Sequence, residues 1–321
     1  METKLNYKRT FLIGLAFLSI CSFWQMYDNI IPLILQNTYH LGETMTGAVM
    51  ALDNVLAIFL LPVCGMLSDK VHTKLGRRMP FIVVGTILAV IFMMMLPMID
   101  NAEKARWATG GSFSNQVFFL GVLFLTLVSM GLYRSPAVAL MPDVTPNHLR
   151  SRANAVINLM GAVGGVYALI MIKVLVGKGE TPDYLPLFSS IAAVMAIAVG
   201  ILVITIRENK LREEVEKAEA ANADTIEEKA MAEGVEAAGE IEAVGDTGEA
   251  KAFEEKQQTA KTESTKDMPK DVKRSMYFML ASIFLWFTAY NAVTTAFSRY
   301  TKVVWKMEGG SFANCLMVAT V

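Results

Sequence analysis

Three ionisable side chains, Asp28, Asp53 and Arg134, stand inside runs that are otherwise apolar. A charge in hydrocarbon is costly, so such residues face protein or a water-filled cavity and mark paths for ions or solutes. Trp24 lies four residues before Asp28, and Gln25 lies four before Asn29. Residues at that spacing share a helix face, so with Tyr27 alongside they form an aromatic and polar stripe. Sugars present hydroxyls and apolar C–H faces, which suit carboxylate or amide acceptors beside an indole. Asp53, followed by Asn54, falls in the next apolar run. Both acids lie ~10 Å from the same end of their runs, at about 1.5 Å per residue. Two carboxylates at matched depth in adjacent helices do not both ionise easily, so one is expected to hold a proton near neutral pH. A proton that leaves when a cavity changes sides is what symport requires. Either acid could instead cap a broken helix or pair with a residue elsewhere in the protein.

Arg134 stands seven residues from the opposite end of its run, which places it far below the two acids and near the level of Asn158. It is a candidate for binding substrate or balancing a carboxylate, against snorkelling or structural pairing. Tyr290 and Asn291, halfway along a later run, complete the cavity candidates. Lys173, near a run's end, reads as an interfacial anchor.

The elements that must carry these residues are membrane helices. The chain is 54% hydrophobic and 18% charged, too apolar for an ordinary soluble domain of 321 residues. Runs of spanning length cover Thr10–Leu35, Met45–Leu67, Pro80–Met98, Gln116–Met141, Ala153–Val176, Leu185–Ile206 and Met276–Phe297. An eighth begins near Ser311 and reaches Val321 after 11 residues. A crossing needs ~20 residues, so the chain is expected to be part of a longer protein. Cys21, Cys64 and Cys315 read as small buried hydrophobes, while His40, His72 and His148 fall in separate loops. Neither set suggests a metal site, and no cofactor is expected. There is no nucleic-acid signature, no hydrolase or transferase constellation, and no G-x-x-x-x-G-K-[ST] loop, so an enzyme is not expected.

Charge gives orientation. Lys4, Lys8 and Arg9, then Lys70, Lys74, Arg77 and Arg78, then Arg150 and Arg152 gather on one side of the runs. The other side has no Lys or Arg between Gln36 and Thr44, and then Lys104, Arg106, Lys173 and Lys178. The positive-inside rule makes the N-terminus cytoplasmic. Between Glu208 and Glu263 there are 17 acidic and 7 basic residues, with Phe253 as the one aromatic. Such a stretch cannot bury a core. It reads as a cytoplasmic tether with a local helix near Leu211–Ala220, and a regulatory role is the alternative. The expected organisation is a six-helix half over residues 1–206, an acidic and disordered cytoplasmic loop over 207–275, and the start of a second half over 276–321.

Between the second and third runs the chain reads Gly65-Met-Leu-Ser-Asp69-Lys70, five residues, then Gly76-Arg77-Arg78-Met-Pro80-Phe81-Ile82. Any cytoplasmic loop collects Lys and Arg, but that does not account for the two linked frames. The stretch resembles the signature loop of the major facilitator superfamily in its stretched form, as in the sucrose and glycoside symporters. Lys70 replaces the usual arginine and Met79 the third basic residue of that pattern. A second stretch, Arg134-Ser-Pro136 through Asp143 and on to Arg150-Ser-Arg152-Ala153-Asn154-Ala155, is similar to the same family. The resemblance covers most of residues 1–206, and only topology carries it past Met276.

The resemblance implies an all-α major facilitator fold with its N-terminal six-helix half complete and its C-terminal half cut off after the first helix. It implies proton-coupled uptake of a sugar or glycoside (sucrose- or maltose-like) by alternating access in the plasma or inner cell membrane. The partners would be the bilayer, a small sugar and a coupling cation, with the proton preferred over sodium. It further implies that Asp69, Arg77, Arg78 and Asp143, within the motif of Gly65, Lys70, Gly76 and Arg150, form a cytoplasmic latch that breaks when the cavity opens inward. A sodium-coupled carrier of melibiose type, or a non-transporting sensor or scaffold of the same fold, is the alternative.

Overall fold

A computed structural model describes residues 5–71, 73–109, 115–177, 182–215, 217, 270–307 and 310–320. Among these, all extended regular structure is helical: α1 Tyr7–Asn37, α2 Glu43–Met50, α3 Leu52–Lys70, α4 Met79–Ala108 and α5 Gln116–Asp143 come first. A 3-10 turn at Asn147–Leu149 leads into α6 Arg150–Leu175, followed by α7 Leu185–Thr205, α8 Lys270–Val303 and α9 Ala313–Thr320. Among the described residues, seven helical segments are long and apolar enough to cross a membrane, with α2 and α3 together making the second. One compact unit contains the described residues up to 217 and from 294 onward, and a second contains residues 270–293.

The segments agree with the apolar runs and depart from them in two places that matter. The second run is one span but two helices, separated at Ala51, whose backbone (φ −77°, ψ −12°) stays in the right-handed region with ψ off the ideal helical value. Asp53 therefore stands in the first turn of α3, where the helix dipole favours a carboxylate. The third run extends to Ala108, ten residues past the expected Met98, so Lys104 and Arg106 lie on the helix and not in a loop. The reason is local pairing. Lys104 Nζ reaches Asp100 Oδ2 at 2.5 Å one turn back and donates to the Pro182 carbonyl at 2.6 Å. Asn101 Nδ2 donates to Asp183 Oδ1 at 2.7 Å, and the Asn115 N–H donates to buried Glu103 at 3.1 Å. These bonds also fix the end of α4 to the turn that opens α7.

Packing inside the first unit centres on α1. Alongside α6, Ser22 Oγ donates to the Gly164 carbonyl at 2.9 Å. A Cβ on Gly164 would collide with the Leu18 carbonyl, so this residue permits the close approach. Tyr133 of α5, fully buried, donates to the Ala16 carbonyl at 2.9 Å and meets Ser19 Oγ at 2.5 Å. Ser135 Oγ, two residues along, donates to the Leu61 carbonyl of α3 at 2.9 Å. Helices α1, α3 and α5 are thus held together at mid-span by hydroxyl-to-carbonyl bonds. Large apolar side chains such as Val55, Ile58, Phe59, Val63 and Met66 of α3 stay exposed. Water would penalise such a face, and lipid hydrocarbon would not.

Candidate functional site

Where α1, α3 and α5 converge, Trp24, Asp53, Asn54, Leu60, Leu127, Gly131 and Arg134 line a cavity of about 30 Å³. That volume holds a water or two, about tenfold below the ~300 Å³ at which small-molecule sites begin. The Arg134 guanidinium lies over the Trp24 ring, 5.5 Å from its centroid. This corrects the expectation that Arg134 sits far below the acids. Its backbone is lower, but side chains on a helix lean toward the helix N-terminus, and α5 runs so that this lean carries the guanidinium up to Trp24 and Asp53.

Asp28, one turn beyond Trp24, is half-buried and near enough to Asp53 for the two charges to interact. Tyr27 is buried within the reach of both charges. Trp24 stands edge-on to Phe23 at 5.3 Å and to Tyr27 at 5.4 Å. The Trp24 indole N–H and the Tyr27 hydroxyl are buried with no hydrogen-bond partner among the described residues. A buried polar atom without a partner costs about 1–3 kcal/mol, and of these two residues Trp24 lines the cavity. Asn54 Nδ2 donates to Asp53 Oδ1 at 2.9 Å and fixes that carboxylate on the cavity wall.

The remaining candidates lie elsewhere. Asn29 is buried and turns its amide back to the Gln25 carbonyl at 2.8 Å, so it serves α1 itself. Gln25 lies beside Gly165 of α6, and neither Gln25 nor Asn29 lines the cavity. Asn158 is exposed on α6 and is also absent from the wall. Tyr290 belongs to the second unit, where it is exposed and stacks on Trp286 at 5.9 Å. The side chain of Asn291 lies outside the described residues.

A second constellation occupies the end of the helices that carries the basic loops. Arg78 is almost completely buried: its Nη2 meets Asp69 at 2.6 Å, its Nε meets Asp143 at 2.9 Å and its Nη1 meets Ser68 Oγ at 2.5 Å. Arg77 Nη2 reaches the same two acids at 3.3 Å (Asp143) and 3.7 Å (Asp69). Two guanidiniums and two carboxylates thus link the ends of α3, α4 and α5, and Arg78 also donates to the Gly65 carbonyl at 3.3 Å. Arg150 stands apart and donates to the Pro142 carbonyl at 2.9 Å near the end of α5. Lys70 is exposed at the end of α3.

Sequence reasoning missed one residue of this constellation. Glu208 is 0% exposed, and its carboxylate accepts the backbone N–H groups of Arg77 at 2.8 Å, Arg78 at 2.9 Å and Met79 at 3.0 Å. Gly76 adopts φ +124°, a conformation that favours glycine, and a Cβ there would lie 2.6 Å from the Glu208 carboxyl carbon. The sequence signal for this role is slight: an acid directly after an apolar run, where an acid-rich segment begins.

The family model for the Major Facilitator Superfamily matches residues 7–321. The sucrose transport protein SUT3 of Oryza sativa subsp. japonica is 26% identical over 137 residues, 40% of this chain and 27% of that protein. The sucrose transport protein SUC4 of Arabidopsis thaliana is 36% identical over 117 residues, covering 34% and 22%. The sucrose transport protein SUC3 of Arabidopsis thaliana is 28% identical over 120 residues, covering 35% and 20%. The aligned part of the chain thus spans about a quarter of the length of these curated relatives.

Proposed function

Because the chain belongs to the Major Facilitator Superfamily of membrane transporters, we propose that its protein carries a sugar or glycoside together with a proton by alternating access. One observation carries this reading: Trp24, Asp53, Asn54 and Arg134 share one mid-span cavity, with Asp28 close enough to interact with Asp53. An indole face and an unsatisfied N–H donor are what a pyranose ring and its hydroxyls require. Two carboxylates facing one guanidinium leave one negative charge over, and a proton balances it when a neutral sugar binds. In this reading Trp24 stacks on the sugar, Arg134 pairs with an acid, and Asp28 with Asp53 holds the coupling proton. The sucrose transport proteins among its relatives support a sugar as cargo. Cavity volume beyond the present 30 Å³ must come from other walls or another state.

The basic end is the cytoplasmic side of a cell membrane in this reading, with the N-terminus inside. There Asp69, Arg77, Arg78 and Asp143 act as a latch, closed while the cavity opens outward and broken when it opens inward. Residues 1–206 are one half of the transporter, 207–275 the cytoplasmic connection, and 276–321 the start of the second half.

The test is uptake of radiolabelled sucrose and maltose by the full-length protein in proteoliposomes. A pH gradient, inside alkaline, is expected to drive accumulation, and a sodium gradient is not. Accumulation under sodium alone would replace the proton with sodium, and saturable binding without accumulation under either gradient would make the protein a sensor.

A further inference from the structure

The chain that leaves α7 does not depart into solvent. Glu208 lies buried against the N–H groups of Arg77, Arg78 and Met79 at the start of α4, where N–H groups have no partner within the helix. Asn209 Nδ2 donates to the carbonyls of Thr73 at 3.1 Å and Lys74 at 3.4 Å. Leu211 and Val215, one turn apart on the helical stretch 208–215, are buried, and Glu214 meets Arg9 near the start of α1 at 3.1 Å. A strap therefore crosses the basic end and is bonded to α1, to the 73–74 turn and to α4. The backbone N–H groups held by Glu208 belong to the two arginines whose side chains reach Asp69 and Asp143. Glu208 thus fixes the main chain from which both guanidiniums are aimed. Gly76 opens the space for its carboxylate.

We propose that Glu208 is a positioning residue of the latch, and that the latch opens only when its carboxylate leaves the N-terminus of α4. This rests on the latch reading above. A residue that merely stabilised the six-helix unit would lower its melting temperature without changing access to the cavity.

The experiment uses the full-length protein in inside-out vesicles, with its native cysteines replaced and Ser135→Cys as the probe beside the cavity. The readout is alkylation by a membrane-impermeant maleimide. Glu208→Gln is expected to speed labelling about tenfold, the loss of one charge-assisted hydrogen bond, with Glu208→Asp in between. Asp69→Asn, which breaks the latch directly, is expected to do the same. Wild-type labelling in Glu208→Gln beside fast labelling in Asp69→Asn overturns the proposal and leaves the latch standing. Wild-type labelling in both overturns the latch and this proposal together. If Glu208→Gln does not fold, amide hydrogen exchange decides. With Glu208 intact, the amides of residues 77–79 are expected to be protected, unlike ordinary first-turn amides, and to exchange faster in Asp69→Asn. Continued protection in that variant, with the probe labelled fast, overturns the proposal.

Discussion

The mid-span cavity and the network at the basic end are built from the same residue types, Asp and Arg, in opposite states of completion. At the basic end most of the buried polar atoms are matched: Arg78 alone bonds to Asp69, Asp143 and Ser68, Glu208 collects three backbone N–H groups, and Arg77 Nε is the atom of this network that lacks a partner among the described residues. In the cavity the Trp24 indole N–H has no partner among the described residues, and Arg134 rests on an aromatic face. A satisfied buried network specifies one arrangement and resists change until it breaks as a unit. An unsatisfied one is destabilised until something binds. In the proposed reading, the difference separates a switch from a binding site.

Four substitutions and one titration test that contrast, and Asp53→Asn is the most severe. In the full-length protein it is expected to reduce gradient-driven sugar accumulation ~100-fold or more while leaving sugar exchange across the membrane measurable, because a fixed neutral group cannot carry a proton. Retained accumulation would remove the cavity acid from coupling. Asp69→Ala is expected to abolish transport with normal membrane insertion, since it removes one of the two carboxylates that pair with the almost fully buried Arg78. Unchanged uptake kinetics would refute the latch. Gly76→Ala combines an unfavourable φ with collision against Glu208, so a stability loss of ~1–3 kcal/mol is expected in thermal melts. No loss would mean that the loop can relax. Tyr133→Phe removes two hydrogen bonds between α5 and α1, and about 1–3 kcal/mol is expected from the buried partners left behind. Here the melting temperature should fall while the sugar affinity of the cavity changes little.

The smallest effect concerns exposed Asp183. Burial acts to raise its pKa, but the Asn101 amide and the Leu185 N–H outweigh it and hold the carboxyl below the usual range. A depressed folded-state pKa contributes stability above the unfolded value that is lost as pH falls through the folded one. The melting temperature should therefore decline slightly below about pH 4, and less in Asn101→Ala. An identical acid limb in both would show that this pair contributes nothing.

Much of the fold was legible because spanning helices declare themselves by apolar length, and the charged loop was legible because Gly65–Ile82 is a dense local pattern. What remained hidden was tertiary. The extra turns of α4 carry Asp100, Glu103 and Lys104, which resemble a loop in composition and are helical because they pair with one another and with residues 115 and 182. Arg134 was misplaced because residue counting locates a backbone and not the end of a long side chain. Asn29 looked like part of a polar stripe, but its amide bonds to its own helix. Glu208 opens a run of acids, and composition gives no sign that one of them turns inward.

Tyr133, next to Arg134 on α5, holds that helix to α1 about one turn from Trp24. Those two cavity residues therefore share a common frame, and rocking of that frame carries both without altering their spacing. Asp53 stands in the first turn of α3, which is tied to α5 where Ser135 Oγ donates to the Leu61 carbonyl. Indole, guanidinium and carboxylate are thus mounted on three helices cross-linked through two hydroxyls, as the legs of one tripod.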